Sequence, residues 1–378
     1  MKGRRHLSLR GSRRAAVIVA ALAVVAAGAV SALAAGLPTT PAQEIATTAI
    51  SKDKSFCGTK PITLAVLDGF GINTWSQASY AAVRSEAAKC SNVKQFAIAG
   101  GGDLNKMIAD VNTAVTQGAN AITIIPDFGK AELAAIQAAT AAGVKVIPWG
   151  ANPDGVDGKD FVQYVDWNDP VAGTMWATWM AKALHGKGNV IFTGGPAGNP
   201  VGLGQLKNIV KVFAKFPKIH LLTGKTAFGV TNWDPATAQK LGAAYVAKYP
   251  KIDGILTNFG TDALAIIRAF QAAGRKLVPT AGLDANGLSC LYLKTRKSQP
   301  KFQIATISNR NWLGRIAARK AIAAAEGIKN SEPARITLPF YEDTLTKPTK
   351  VFCNAKLPAD YYLSNNIPPA TIAKYGKP

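Results

Sequence analysis

The sequence predicts an α/β protein of two similar lobes, each a doubly wound parallel sheet, joined by a hinge of three crossing segments. Three observations carry this expectation. Short apolar runs alternate with stretches of helical periodicity, and the alternation starts afresh near the middle of the 378-residue chain. The chain beyond the N-terminal leader is also too long for one ordinary core.

The leader comes first. Lys2, Arg4, Arg5, Arg10, Arg13 and Arg14 precede an unbroken apolar run over 15–30, followed by Ser31-Ala32-Leu33-Ala34. A positive start, an apolar middle and small residues at the end make a secretory signal, with 1–34 as signal peptide and cleavage after Ala34. An uncleaved anchor is the alternative, but the run falls short of the ~20 apolar residues that span comfortably. Either reading places the remainder in the periplasm or on the outer face of the cytoplasmic membrane. Ser12-Arg13-Arg14 also fits twin-arginine export, although paired arginines are common in ordinary signals. No cysteine follows the cleavage site, so no lipid attachment point is offered there. Residues 35–56, rich in Thr, Ala and Pro without an apolar period, read as a flexible tether.

Beyond the tether the alternation begins. Apolar runs at 62–67, 121–125 and 144–147 are strands, and 75–89, 103–117 and 130–142, with apolar residues recurring at three and four, are helices. Gly118 and Gly143 stand where left-handed caps stop two of them. After Tyr164-Val165-Asp166 the pattern restarts, with strands at 189–193, 219–223, 254–257 and 277–281 and helices at 171–184, 203–216, 235–248 and 261–273. Strand followed by helix, repeated, means parallel sheets with helices on both faces. The first lobe is expected to take 57–167 and 310–339, the second 168–308 and 340–378, with crossings near Asp166, Asn309 and Phe340.

Four cysteines, Cys57, Cys90, Cys290 and Cys353, all lie in the exported part, where disulfides are permitted. Order alone allows three pairings. Cys57 with Cys90 and Cys290 with Cys353 are favoured because each pair ties a segment end to a nearby helix; buried free thiols are the alternative. The net charge of +22 attracts anions, and for an exported protein acidic envelope polymers are the natural ones. The lysines are scattered, as at Lys187, Lys207, Lys211, Lys215, Lys218 and Lys225, with no arginine stripe or RNA-binding aromatic motif, so nucleic acid is not an expected partner.

Open parallel sheets collect ligand groups at the carboxyl ends of their strands. Those ends carry Asp68-Gly69-Phe70 through Asn73 and Trp75, Pro126-Asp127-Phe128, Trp149-Gly150-Ala151-Asn152 and Asp166-Trp167-Asn168. In the second half they carry Asn232-Trp233-Asp234, Asn258-Phe259, Asp284 and Asn309. A flat aromatic beside an amide or carboxylate suits a neutral, hydroxyl-rich ligand, whose C–H face stacks on an indole while its hydroxyls bond Asn and Asp. The alternative for any single Trp is a packing residue. Competing signals are weak. Gly224-Lys225-Thr226 lacks the glycine five residues earlier, where Ile219 stands, so no phosphate cradle forms. Gly100-Gly101-Gly102 reads as a turn, and the glycines of 194–202 lack dinucleotide spacing. His185 and His220 have no partner at metal-ligand spacing, and no Gly-x-Ser-x-Gly elbow exists.

Several of these segments recur in a familiar order: Asn73-Thr74-Trp75 before the first helix, Gly101-Gly102-Asp103 opening the second, and Gln117-Gly118-Ala119-Asn120-Ala121-Ile122 leading to Ile125-Pro126. Gly194-Gly195-Pro196-Ala197-Gly198, Arg268-Ala269-Phe270-Gln271-Ala272-Ala273-Gly274, Gly282-Leu283-Asp284 and Ala305-Thr306-Ile307 complete it. In this the chain resembles the type I periplasmic binding proteins of ABC importers, of the ribose- and galactose-type sugar-binding group, over about 60–330. The resemblance implies a monomer that captures a monosaccharide or polyol by hinge closure, needs no cofactor or metal, performs no chemistry and delivers its cargo to a membrane permease.

By the same resemblance, Asn73 and Trp75 form the first ligand loop and Trp233 the opposing aromatic. Asp284 is the carboxylate after the penultimate strand, Asn309 the amide at the last crossing, and Asn258 or Phe259 the group after the strand at 254–257. The chain departs from the pattern at Gly150-Ala151, where such binders usually carry Asp-Arg, and near 203–205, where a second arginine is replaced. Neither glycine nor leucine imitates a guanidinium fork. The standard clamp is therefore expected to be missing, with Trp149, Asn152 and Trp167 substituting in a more aromatic cavity. A binder of an aromatic or less polar molecule, and more remotely an exported hydrolase, are the alternatives.

Overall fold

The computed structural model describes residues 53–71, 73–167 and 169–378. The expected signal peptide, and the expected tether as far as residue 52, lie outside the described residues. Four parallel strands, β1 (Ile62–Asp68), β2 (Val93–Ala99), β3 (Ala121–Ile125) and β4 (Lys145–Pro148), form a first sheet in the order β2-β1-β3-β4. Helices α1 (Thr74–Ala87), α2 (Leu104–Thr116) and α3 (Leu133–Ala141) connect them. The two central strands, β1 and β3, are almost wholly buried, as strands covered on both faces must be. Asn73 and Asp103 start α1 and α2 by accepting the Ser76 and Lys106 N–H groups at 2.9 and 2.8 Å. Gly118 and Gly143, at φ 78° and 91°, follow α2 and α3 as the sequence predicted. The edge strand β2 is a finding: Lys94 and Gln95 interrupt its apolar run, and its residues are half-exposed.

The second half contributes β5 (Asp166–Trp167), α4 (Asp169–Ala183), β6 (Lys187–Gly194), α5 (Pro200–Phe213), β7 (Lys218–Leu221) and β8 (Gly229–Val230). It continues with α6 (Pro235–Lys248), β9 (Gly254–Thr257), α7 (Gly260–Ala272), β10 (Thr280–Leu283), α8 (Asn286–Thr295) and β11 (Ile304–Ile307). Then come α9 (Leu313–Glu326), β12 (Arg335–Ile336), β13 (Glu342–Asp343) and α10 (Pro369–Tyr375). The second sheet runs β13-β11-β10-β9-β6-β7, with β8 beside β6; only β13 is antiparallel. The strand expected at 277–281 begins at Thr280 instead, because Pro279 has no N–H to give a ladder.

Each sheet has its own apolar core, one built around Leu67, Ile122 and Val146 and the other around Ile191, Ile255 and Ile304. Three segments cross between them. β5 and β12 lie side by side as a two-stranded parallel ribbon, and the chain crosses again after β11 to bring α9 against α1, β3 and β4. The disulfides are Cys57–Cys90 and Cys290–Cys353, with Cα separations of 5.2 and 4.9 Å. Among the described residues no helix is long and apolar enough to cross a membrane.

The C-terminal segment departs from expectation. It starts on the second sheet, where the Asn286 amide donates to the carbonyls of Asn354, Leu357 and Pro358 at 2.9–3.0 Å. It ends on α1, where Arg84 donates to the carbonyls of Tyr375 and Lys377. The reason is an apolar match: Tyr362, Ile367, Ile372 and Tyr375 cover the alanine face of α1 formed by Ala78, Ala81 and Ala82. Residues 340–378 thus do not stay with one lobe.

Candidate functional site

Between the carboxyl ends of β1 and β3 on one side and of β6 and β9 on the other lies a small cavity of about 40 Å³, lined from both sheets. Nine of the residues named at strand ends in the sequence line it: Asp68, Phe70, Asn73, Trp75, Asp127, Gly150, Trp233, Asn258 and Phe259. The local chain explains their positions. Asp68 ends β1, and its Oδ1 accepts the N–H groups of Phe70 and Gly71 at 2.9 and 2.8 Å, folding the loop back on itself. Gly71, at φ 72°, permits the turn, since a Cβ there would meet the Ala99 Cβ at 2.3 Å. The loop then delivers Asn73 as the cap of α1 and Trp75 in its first turn.

Trp75 stacks on Trp149, with centroids 6.1 Å apart and planes at 25°, and its Nε1 donates to the Asn309 carbonyl at 3.0 Å. On the opposite wall Trp233, at φ 51°, donates from Nε1 to Asn258 Oδ1 at 3.1 Å. Its indole lies flat against Gly195, where a Cβ would approach within 2.2 Å. The walls touch. Phe70 meets Trp233 edge-on with centroids 5.2 Å apart, and the Asn199 amide, at the start of α5, donates to the Asp127 carbonyl at 2.9 Å.

Polar atoms are left over at this cavity. Asp68 Oδ2 and Asn258 Nδ2 are buried without a hydrogen-bond partner, a costly state that a bound polar group relieves. Burial pushes the Asp68 carboxyl up to about 6. Asp127 is held well above the usual carboxylate range by burial first, then by the neighbouring charges of Asp68 and Glu132. Burial also pushes Glu132 up to about 8.

The other expected residues stand elsewhere, each for a physical reason. Trp149 is buried against Gly314 as a packing residue, and Phe128 packs on the first core. Asn152 turns its Oδ1 back to the Asp154 N–H at 2.8 Å and, with Trp167, lines a separate recess. Asp284 and Asn309, expected to read ligand hydroxyls, are engaged with each other. Asp284 Oδ1 accepts the Asn309 N–H at 2.8 Å, its Nδ2 at 2.9 Å and the Ser364 hydroxyl at 2.7 Å. The C-terminal segment, which supplies Ser364, is what occupies this carboxylate.

One correction concerns charge. The sequence expects the standard clamp to be missing and the cavity to be less charged, but Arg310, on the crossing after β11, brings a guanidinium to its lining. Its neighbour Asn309 carried the sequence signal. At φ 58° Arg310 sits in a left-handed bend that turns it away from Asn309's direction. Ser76, Val201 and Leu283 also line the cavity and were not anticipated; nothing in their type distinguishes them from packing residues.

Residues 65–329 match the periplasmic binding protein domain. The xylitol-binding protein of Mycolicibacterium smegmatis is 29% identical over 219 residues, covering 57% of this chain and 61% of that protein, so the match spans about six-tenths of the relative. Two solved ABC transporter solute-binding proteins share the fold. One from Agrobacterium vitis with bound allitol has a TM-score of 0.64 at 20% identity, covering 76% of this chain and 98% of that one. One from Bacillus halodurans with bound myo-inositol has a TM-score of 0.65 at 20% identity, covering 79% and 99%. With two parallel sheets joined by three crossings around one cleft, and a domain match over most of its length, this chain belongs to the periplasmic binding protein family.

Proposed function

We propose that this protein is the extracytoplasmic binding component of an ABC importer and that it captures a small neutral hydroxylated molecule, a monosaccharide or polyol, by hinge closure. The observation that carries the reading is the cavity at the strand ends of both sheets, walled by Trp75, Trp233, Phe70 and Phe259 and holding the unpartnered Asp68 Oδ2 and Asn258 Nδ2. A hydroxyl serves both, since it donates to the carboxylate and accepts from the amide. The same two atoms count against an aromatic or weakly polar cargo, which would leave them buried and unsatisfied. In this reading Trp233 and Trp75 stack on the ligand, Asp68, Asp127, Asn73 and Asn258 bond its hydroxyls, and Asp284 and Asn309 hold the crossing in place. Closure results because only a closed cleft lets one ligand touch both walls. The cargo leaves unchanged for a permease, and the chain acts outside the cytoplasm as a monomer.

Xylitol-, allitol- and myo-inositol-binding relatives and fold neighbours support the ligand class. The test is a thermal-shift and calorimetric panel of xylitol, allitol, myo-inositol and simple aldoses beside aromatic acids. Native mass spectrometry of the protein as purified would identify any carried ligand. A ligand at one hundred times its Kd stabilises by about 2.7 kcal/mol, a readily measured shift. Shifts with aromatic acids alone, or conversion of any bound compound, would overturn the proposal.

A further inference from the structure

Among the described residues that line the cavity, Arg310 is the one cation, set against the carboxylates of Asp68 and Asp127. Its surroundings fix it closely. The guanidinium lies 5.9 Å from the ring centre of Trp75 and 5.7 Å from that of Trp167. Nη2 donates to the Gly150 carbonyl at 3.1 Å, and Nε lies 3.5 Å from Asp166 Oδ1. These partners come from α1, the end of β4 and the crossing at β5, while Arg310 itself stands on the crossing after β11. The residue is 5% exposed and its backbone is left-handed, a conformation that persists only where surroundings impose it.

The charges around it are unevenly placed. Asp68 and Asp127 face the cavity from the first sheet, Glu132 stands behind Asp127, and Asp166 pairs with Arg310 from the first crossing. The second-sheet side offers Val201, Trp233, Asn258, Phe259 and Leu283, none of them charged. Arg310 is felt at Asp127, where its charge opposes the upward push of burial.

We infer that Arg310 sets the charge class of the cargo: by offsetting the cleft carboxylates it makes the cavity select neutral polyols and reject ammonium-bearing ones, and its neutralisation inverts that preference. The inference rests on the polyol or sugar reading above. Two physical effects act together. A guanidinium repels a ligand ammonium across a site with little water to screen it. Without Arg310, Asp68 and Asp127 line the cavity with no cation to offset them, and Asp166 behind it loses this ion pair, so the pocket favours a cation.

The test uses the full chain and variants Arg310→Gln, Arg310→Lys and the double variant Asp166→Asn with Arg310→Gln. Each neutral ligand that the wild type binds is titrated beside its monoamino analogue, xylitol with 1-amino-1-deoxyxylitol and myo-inositol with its inosamine. The wild type is expected to prefer the neutral member by at least roughly tenfold, the scale of one charged hydrogen bond gained or lost. Arg310→Gln should lose at least roughly tenfold for the neutral ligand and bind the amine more tightly than the wild type does. Arg310→Lys keeps the charge but not the fork, so it should weaken neutral binding while still rejecting the amine. The double variant removes the carboxylate left without its ion pair, so it reports on the cavity should Arg310→Gln alone fold poorly; it too should lose neutral affinity and gain amine. Folded variants that keep the wild-type preference would overturn the inference. A wild type that binds no neutral polyol or sugar would overturn the underlying ligand class instead.

Discussion

Asn199 performs two tasks that one substitution separates. Its Oδ1 accepts the N–H groups of Val201 and Gly202 at 3.0 and 3.2 Å, capping α5, while its Nδ2 donates to the Asp127 carbonyl across the cleft at 2.9 Å. Asn199→Asp keeps the cap, since aspartate is as good at that position, and replaces the donor with a carboxylate oxygen. The closed form then loses a hydrogen bond worth about 1 kcal/mol and gains a buried oxygen facing a carbonyl, about 1–3 kcal/mol more. Together these destabilise closure by about 2–4 kcal/mol, or roughly 30- to 900-fold in the closed population. Small-angle scattering should show a larger radius of gyration under subsaturating ligand, and calorimetry a correspondingly weaker Kd, with the melting temperature of the ligand-free protein nearly unchanged. Asn199→Ala is the control, because it also removes the cap and should cost about 1 kcal/mol of stability. Wild-type affinity and wild-type compaction in Asn199→Asp would refute the assignment of this bond to closure.

Trp233→Ala should weaken ligand binding by at least roughly tenfold in calorimetry, since it removes a stacking face and the edge contact with Phe70; unchanged affinity would take Trp233 out of the site. Stability should fall with rising pH. Burial raises Asp68 to about 6, Asp262 and Glu342 to about 7 and Glu132 to about 8, so the native state holds more protons than the unfolded chain above about pH 4. That stability is complete below about pH 4 and is lost as pH passes through 6–8, so melting temperature should drop between pH 5 and 9. Glu132→Gln should flatten the upper part of that slope, and a slope of opposite sign would contradict the burial assignment. Replacing Cys290 and Cys353 by serine opens a loop of sequence separation 63, for which chain entropy alone implies a loss of about 4 kcal/mol, measurable by denaturant titration.

Much of the fold was legible because its elements announce themselves locally. Strands such as 121–125 are apolar apart from Thr123, and helices such as 235–248 carry cap and period together. The edge strand β2 was hidden because half-exposure admits Lys94 and Gln95 into its run. For the site, the strand-end pattern brought Asn73, Trp75, Trp233 and Asn258 to one cavity. It also promoted Trp149, which sits at a strand end but turns toward Gly314, because sequence position does not fix the direction of a side chain at a bend. Arg310 was hidden beside Asn309 for the same reason. The engagement of Asp284 by Ser364 depends on a contact 80 residues apart, which no local pattern encodes.

The path of the C-terminal segment constrains how the protein is built in time. α1 is made early, yet its alanine face is covered by α10, and Arg84 reaches carbonyls 291 and 293 residues further on. A chain emerging N-terminus first, whether from a ribosome or from a membrane channel, therefore leaves α1 partly uncovered until residues 362–377 are out. Contacts of such separation form late and slowly. During that interval α1 presents an uncovered apolar face, so the same design that delays folding keeps the chain threadable and makes it a client for whatever holds unfolded chains in solution. Deleting residues 369–378 should accordingly show itself more in the yield and rate of refolding than in the affinity of the protein that does fold.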